Sequence, residues 1–452
     1  MTRSRPAASA ALFVPLMALM GGGCSSFAQG RPSEGKILAG YFEEWNRTGS
    51  DYSVASLERN GVAGKLTHLL YAFANVTLTP AIGCAIADPK AAYQNTEVPS
   101  VSGSPYIAPP YGNFGALIQL KRLHANLRVL ISIGGAAAGN ATFSPAASTA
   151  AGRQALAASC IDMFIRGNVG NDAAGNPIST GSLFDGFNID WEYPAAVDKR
   201  NFTLLVEEFR RQLNVLEQAR HCRYWLTIDS PTQAKNYANV ELAQVARQLD
   251  FLTLDGYDFA SSGDGKTNHA SALYDSPENP AFAEGLDIES PISAYLRAGV
   301  PGRKLVLGMP LFGQGWTGVP DVNHGLYQTA TGPAPSPAGD AIGANGLATY
   351  KTLSTLMASG YTRYFDPQRI AVWLYNPTTR TFWSYDDPFT VSLKMIYTHR
   401  RVPGGLGGAF VWALRDDDEN GNLVKTLDWL ARPEAVDAIR KVLGKRGIER
   451  RK

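Results

Sequence analysis

Short apolar runs rich in β-branched and aromatic residues recur along the chain, each followed by a stretch with helical spacing. The runs are Lys36–Phe42, Leu66–Ala74, Leu127–Gly134, Phe184–Trp191, Arg223–Asp229, Asp250–Tyr257, Lys304–Pro310 and Gly407–Ala413. Nearly continuous apolarity marks strands buried on both faces, as in parallel sheets. Between them Asn201–Ala219 places Phe202, Leu205, Val206, Phe209 and Leu213 on one face of a predicted helix. Eight such strand–helix units fit a (β/α)8 TIM barrel, whose chemistry sits at the C-terminal ends of the strands. An open doubly wound sheet is the alternative, but Gly134-Gly135 lacks the rest of a dinucleotide-binding pattern.

Two stretches break the rhythm. Asn75–Gly112 is long and rich in Pro, Ser and Gly, and reads as an elaborated loop over the barrel mouth. Residues 313–387 separate the last two barrel strands by more chain than one helix needs, and they include the strand-like Ile370–Tyr375 and Thr381–Tyr385. The expected division is therefore a barrel over 36–312 and 388–430, a small α+β insertion domain over 313–387, and a C-terminal helix and basic tail over 431–452. Asp416–Leu423 reads as the loop into the last barrel helix.

Residues 1–28 differ in kind. Arg3 and Arg5 precede the apolar Ala10–Met20, which is too short to span a bilayer comfortably, and Ser26-Phe27-Ala28 offers a signal-peptidase site. Secretion is expected, with lipidation at Cys24 as the alternative. No later run is long enough to cross a membrane. Net charge of +2 gives no reason to invoke nucleic acid, and a monomer is expected. The four cysteines do not make a disulfide framework: with Cys24 cleaved or lipidated, Cys84, Cys160 and Cys222 allow at most one bridge. Cys160, within the helical pattern Ala155–Ile165, reads as a buried apolar residue, and His68 as a core histidine. The six histidines are scattered without metal-ligand spacing, so neither a metal nor another cofactor is expected.

The segment Phe184-Asp185-Gly186-Phe187-Asn188-Ile189-Asp190-Trp191-Glu192-Tyr193-Pro194 carries the chemistry. Alternate strand residues share a face. Asn188, Asp190 and Glu192 therefore point into the barrel, and Phe187, Ile189 and Trp191 point towards the helices. Burying three polar groups without purpose costs several kcal/mol. An acid beside an acid raises the proton affinity of one of them, as a general acid near neutral pH requires.

This segment resembles the fourth-strand motif of family 18 glycoside hydrolases, the chitinase family, Asp-Gly-x-Asp-x-Asp-x-Glu. The likeness spans nearly the whole chain after its leader. Gly40-Tyr41-Phe42 with Trp45 is similar to the first strand, Thr67–Ala74 to the second and Ser132-Ile133-Gly134-Gly135 to the third. Tyr257-Asp258 is similar to the sixth, Tyr385-Asp386-Asp387-Pro388 to the approach to the eighth, and Gly408–Trp412 to the eighth itself. The resemblance implies cleavage of β-linked N-acetylglucosamine polymers, polysaccharide or oligosaccharide, with the substrate's own acetamide as nucleophile. Glu192 is the implied acid, and Asp190 the partner of the acetamide nitrogen. Tyr257 and Asp258 would fix the acetamide and Trp412 would floor the sugar. Tyr41 and Ser132 would lie behind Asn188 and Asp190. An endo-β-N-acetylglucosaminidase of N-glycans and a non-hydrolytic lectin share the fold, but such lectins usually lack the acid, and a wall formed by 313–387 favours chitin-type chains.

Four departures from the family pattern stand out. Asn188 replaces the middle aspartate, so Asp190 should ionise more readily and lean its charge towards Glu192. Asp255 stands where Met is usual, Ala136 where many chitinases have Trp, and Phe312-Gly313-Gln314 replaces Tyr-Gly-Arg.

Overall fold

A computed structural model describes residues 36–47, 52–172, 174–432 and 434–437. The proposed leader, Cys24 and the basic run 445–452 lie outside these residues. Eight parallel strands are present: β1 (Ile37–Glu43), β2 (His68–Thr77), β3 (Arg128–Gly134), β4 (Gly186–Asp190), β5 (Trp225–Ser230), β6 (Phe251–Leu254), β7 (Leu305–Pro310) and β8 (Gly408–Trp412). Each pairs with its neighbours in sequence, and β8 pairs with β1, so the sheet closes. The protein is a (β/α)8 barrel.

The alternation of side chains divides the apolar interior in two. Outward residues such as Leu69, Ile131, Phe187 and Ile189 join the ring of helices in the main core. Inward residues, including Tyr41, Leu70, Leu130, Phe251, Val306 and Phe410, fill the barrel. Trp191 faces outward, stacked 5.1 Å from Phe143 and edge-on at 5.7 Å to Phe202. The helix after β4 runs Lys199–Arg220 and buries Phe202, Leu205, Val206, Phe209 and Leu213. His68 is a core histidine, packed edge-on against Trp225 and Phe251. Burial lowers its proton affinity to a pKa of about 3, so it is neutral.

Within Asn75–Gly112, read as an elaborated loop, the structure places strand segments. Strand β2 runs on to Thr77 and turns back as an antiparallel strand at Gly83–Ile86. Cys84 in that strand is bridged to Cys160, at the end of helix Ala150–Cys160. Cys160 is buried in a helix as expected, but as half of a disulfide rather than as a lone apolar side chain. The bridge encloses 76 residues of sequence separation, long enough for its loss to release considerable unfolded-chain entropy.

Between β7 and β8 the chain builds an antiparallel sheet in the order Gly332–Pro333, Phe312–Thr317, Thr381–Tyr385, Ala371–Asn376, Thr362–Asp366, with Leu347–Thr349 also paired to Phe312–Gln314. The first long strand follows β7 after Leu311 alone, so the sheet rises directly from the barrel rim and carries Gln314 towards the mouth. The chain returns through helix Pro388–Arg400, capped by Asp387, whose carboxylate accepts from the Phe389 and Thr390 amides. No helix among the described residues is long and apolar enough to cross a membrane.

Candidate active site

A cavity of about 310 Å³ opens at the C-terminal ends of the strands, within the size range of small-ligand sites. Tyr41, Trp45, Phe73, Ala136, Ala137, Asp190, Glu192, Asp229, Asp255, Tyr257, Asp258 and Trp412 line it. A second, more polar cavity of about 200 Å³ adjoins it and shares Glu192, Asp255, Tyr257 and Asp258. Glu192, partly exposed, stands where the two meet.

Strand β4 sets the polar column. Asn188 lies deepest and is 0 % exposed. Its Oδ1 accepts from Tyr41 Oη at 3.1 Å and Ser132 Oγ at 2.7 Å, and its Nδ2 donates to Thr227 Oγ1 at 3.0 Å. Ser132 is equally buried. Neither residue lines the cavity; they anchor β4 to β1, β3 and β5 from beneath. Asn188 suits this place because an amide, unlike a carboxylate, can both accept and donate.

Above Asn188, Asp190 is 4 % exposed. Carboxylate oxygens of Asp190, Glu192 and Asp229 lie within 4.8 Å of one another. Burial, with the charges of Glu192 and Asp255 added, raises the proton affinity of Asp190. The ready ionisation expected from the loss of an acid at 188 is therefore offset chiefly by burial, with Glu192 and Asp255 adding to it. Burial likewise raises Glu192, which favours its protonated, donating form. Asp255 does turn into the cavity, and burial together with Glu192 pushes its pKa up to about 8.

Asp229 escaped notice in the sequence, although the same alternation exposes it: Leu226 and Ile228 face the helices, Thr227 and Asp229 the barrel. Phe73 also went unassigned. It bridges two other rings, 5.9 Å from Trp45 and 5.8 Å from Trp412, stacked on each. Trp412 also packs against Tyr41 at 5.0 Å. This aromatic row occupies one wall, while Ala136 and Ala137 leave space beside it. The opposite wall is acidic. Tyr257 packs edge-on against Phe312 and Phe410. Asp258 adopts a left-handed φ of 57°, which Asp tolerates better than most residues. It accepts from Gln314 Nε2 at 2.9 Å. Gln314 thus tethers Asp258 without bringing a positive charge to the cleft.

These proton affinities bear on stability. Native Asp255 and Asp416 hold protons up to about pH 8, whereas unfolded carboxyls titrate near about 4. The native state then binds more protons than the unfolded state, so stability falls as pH rises. Histidines with lowered affinity work the other way, but only below their unfolded pKa of about 6.5. Between about pH 6.5 and 8, Tm is expected to decrease with pH. A Tm that rises across this window by scanning calorimetry contradicts the buried-acid assignment.

Residues 37–417 match the family model for glycosyl hydrolases family 18. The chain is 31% identical to "Chitinase A1" of Niallia circulans over 84% of its own length and 56% of that protein's. It thus spans little more than half of that relative. It is 31% identical to "Chitinase 1" of Aphanocladium album, covering 82% of this chain and 79% of that one. The catalytic domain of psychrophilic chitinase B from Arthrobacter TAD20 superposes with a TM-score of 0.80 at 30% identity, covering 89% and 96% of the two chains. Fold, fourth-strand motif and family match converge: the chain belongs to glycosyl hydrolases family 18.

Proposed function

We propose that the protein hydrolyses β-1,4-linked N-acetylglucosamine chains, chitin or chito-oligosaccharides, with retention of anomeric configuration. The observation that carries this reading is the position of Glu192, a carboxyl of raised proton affinity at the junction of two cavities. A sugar chain laid across both would present its glycosidic oxygen there. Glu192 donates its proton to that oxygen as the bond to the anomeric carbon breaks. The acetamide oxygen of the sugar on the Trp412 side attacks the anomeric carbon and gives an oxazolinium ion. Asp190 accepts from the acetamide N–H and stabilises the positive charge. Tyr257 holds the acetamide oxygen in line and Asp258 braces that wall. Glu192, now ionised, takes a proton from the water that opens the oxazolinium, which restores the acid.

The lining explains the substrate class. Acids and aromatic rings, with no Lys, Arg or His among the described lining residues, suit a neutral sugar and disfavour sialylated or uronic-acid chains. Rings stack on the apolar faces of pyranoses, and carboxylates accept from their hydroxyls and amides.

The antiparallel sheet after β7 supports an insertion domain over 313–387 that walls one side of the cleft, the rest forming the barrel. We propose export by a leader cleaved after Ala28, or anchoring at Cys24, and function as a monomer.

Incubation with chitohexaose and, separately, with an N-glycoprotein, followed by mass analysis, tests the substrate. Chito-oligosaccharide fragments from the first and an unchanged glycoprotein are expected. Released N-glycans with intact chitohexaose would reverse the assignment.

A further inference from the structure

Asp190 and Asp229 each bury a carboxylate oxygen that has no hydrogen-bond donor, Oδ1 of the one and Oδ2 of the other. The register sets Asn188 level with Thr227 and Ile189 level with Ile228, so the next inward pair across β4 and β5 is Asp190 with Asp229. Their oxygens lie within 4.8 Å, and the two residues are 4 % and 6 % exposed. Asn188 cannot satisfy either one, because its amide donates to Thr227 and its carbonyl is held by Tyr41 and Ser132. The other oxygen of Asp229 accepts from Thr253 Oγ1 at 2.9 Å, which fixes its orientation.

We propose that Asp229 is the proton-sharing partner of Asp190, supplying from β5 the neighbouring acid that Asn188 does not supply on β4. Two close buried carboxyls hold one proton between them. Before substrate binds, either carboxyl can carry it. When the acetamide N–H donates to Asp190, the proton rests on Asp229 and Asp190 keeps its negative charge for the oxazolinium. Asp229 is thus a positioning residue that acts through Asp190.

The surroundings agree. Titratable groups facing the pair are Glu192 and Tyr193 from the end of β4, Tyr41 from β1, Asp255 and Tyr257 from β6 and beyond, and Tyr295 from helix Glu289–Arg297. None is basic. Burial raises both aspartates, and the remaining acids add to the effect.

The inference rests on the proposed role of Asp190 and is tested with the full chain on chitohexaose. Asp229→Asn keeps the acceptor for Thr253 but ends the sharing that stabilises the charge on Asp190, so the acidic limb of the kcat/KM profile, the pair's first ionisation, should move to higher pH by about one unit. Adding Asn188→Asp to that variant should bring the limb back. Thr253→Val removes a bond that stabilises ionised Asp229, so its limb should move to higher pH, and this variant decides the matter if Asp229→Asn does not fold. A uniform loss of rate with an unmoved limb in Asp229→Asn, or a limb that the added Asn188→Asp does not bring back, would overturn the pairing. Wild-type protein inactive on chitohexaose would instead reject the chitinase reading itself.

Discussion

Glu192→Gln is expected to lower chitohexaose turnover by roughly 10²–10⁴-fold, the usual contribution of a general acid. The substitution is isosteric and removes only the proton that the glycosidic oxygen needs. Apparent substrate affinity should change little, because the aromatic wall of Trp45, Phe73 and Trp412 is untouched. The basic limb of the pH profile should also vanish, since it reports loss of the proton from Glu192. The acid has its raised affinity chiefly from burial, so in the wild type this limb should lie above the ordinary glutamate range. Turnover near the wild-type level would show that another group protonates the leaving oxygen. An aryl glycoside with a good leaving group should recover much of the lost rate, because it needs no acid.

Asp190→Asn should cost nearly as much, roughly 10²–10³-fold in kcat. Its role is electrostatic. The oxazolinium carries a full positive charge that the bound substrate lacks, so a carboxylate beside it acts mainly in the transition state. An asparagine at 190 can still accept from the acetamide N–H but brings no charge. The loss should therefore appear in kcat with KM nearly unchanged. A KM effect without a kcat effect would recast Asp190 as a binding group only. The substitution also reports on proton sharing, because Asp229 would lose its coupled neighbour and titrate in one step rather than two.

Much of this arrangement was legible in the chain. Barrel strands are buried on both faces, so their apolar runs stood out, and the observed strands begin and end within a few residues of those runs. In β4 the apolar side of the alternation was fully occupied by Phe187, Ile189 and Trp191, which forced Asn188, Asp190 and Glu192 inward. The same logic held for Asp229, yet Asp229-Ser230-Pro231 ends a strand and reads locally as a turn. Only the parallel register with β4 brings Asp229 level with Asp190. The hairpin strand Gly83–Ile86 was hidden for a different reason. It is four residues long, half-buried and at the edge of the sheet, and its position depends on a disulfide whose pairing no local pattern specifies. Gln314 could be seen as a departure from the family, but its bond to Asp258 depends on how the inserted sheet leaves β7. The sequence thus showed which residues face inward along one strand, while relations between strands required the closed barrel.

Retention through the acetamide is the claim on which the rest depends. Proton NMR of chitohexaose during the first turnovers, before mutarotation, reads the configuration of the new reducing end. The β-anomer is expected to form first, and a thiazoline analogue of the oxazolinium to suppress the reaction competitively. An α-anomer as the first product would mean direct displacement by water and would contradict the assigned roles of Asp190 and the acetamide.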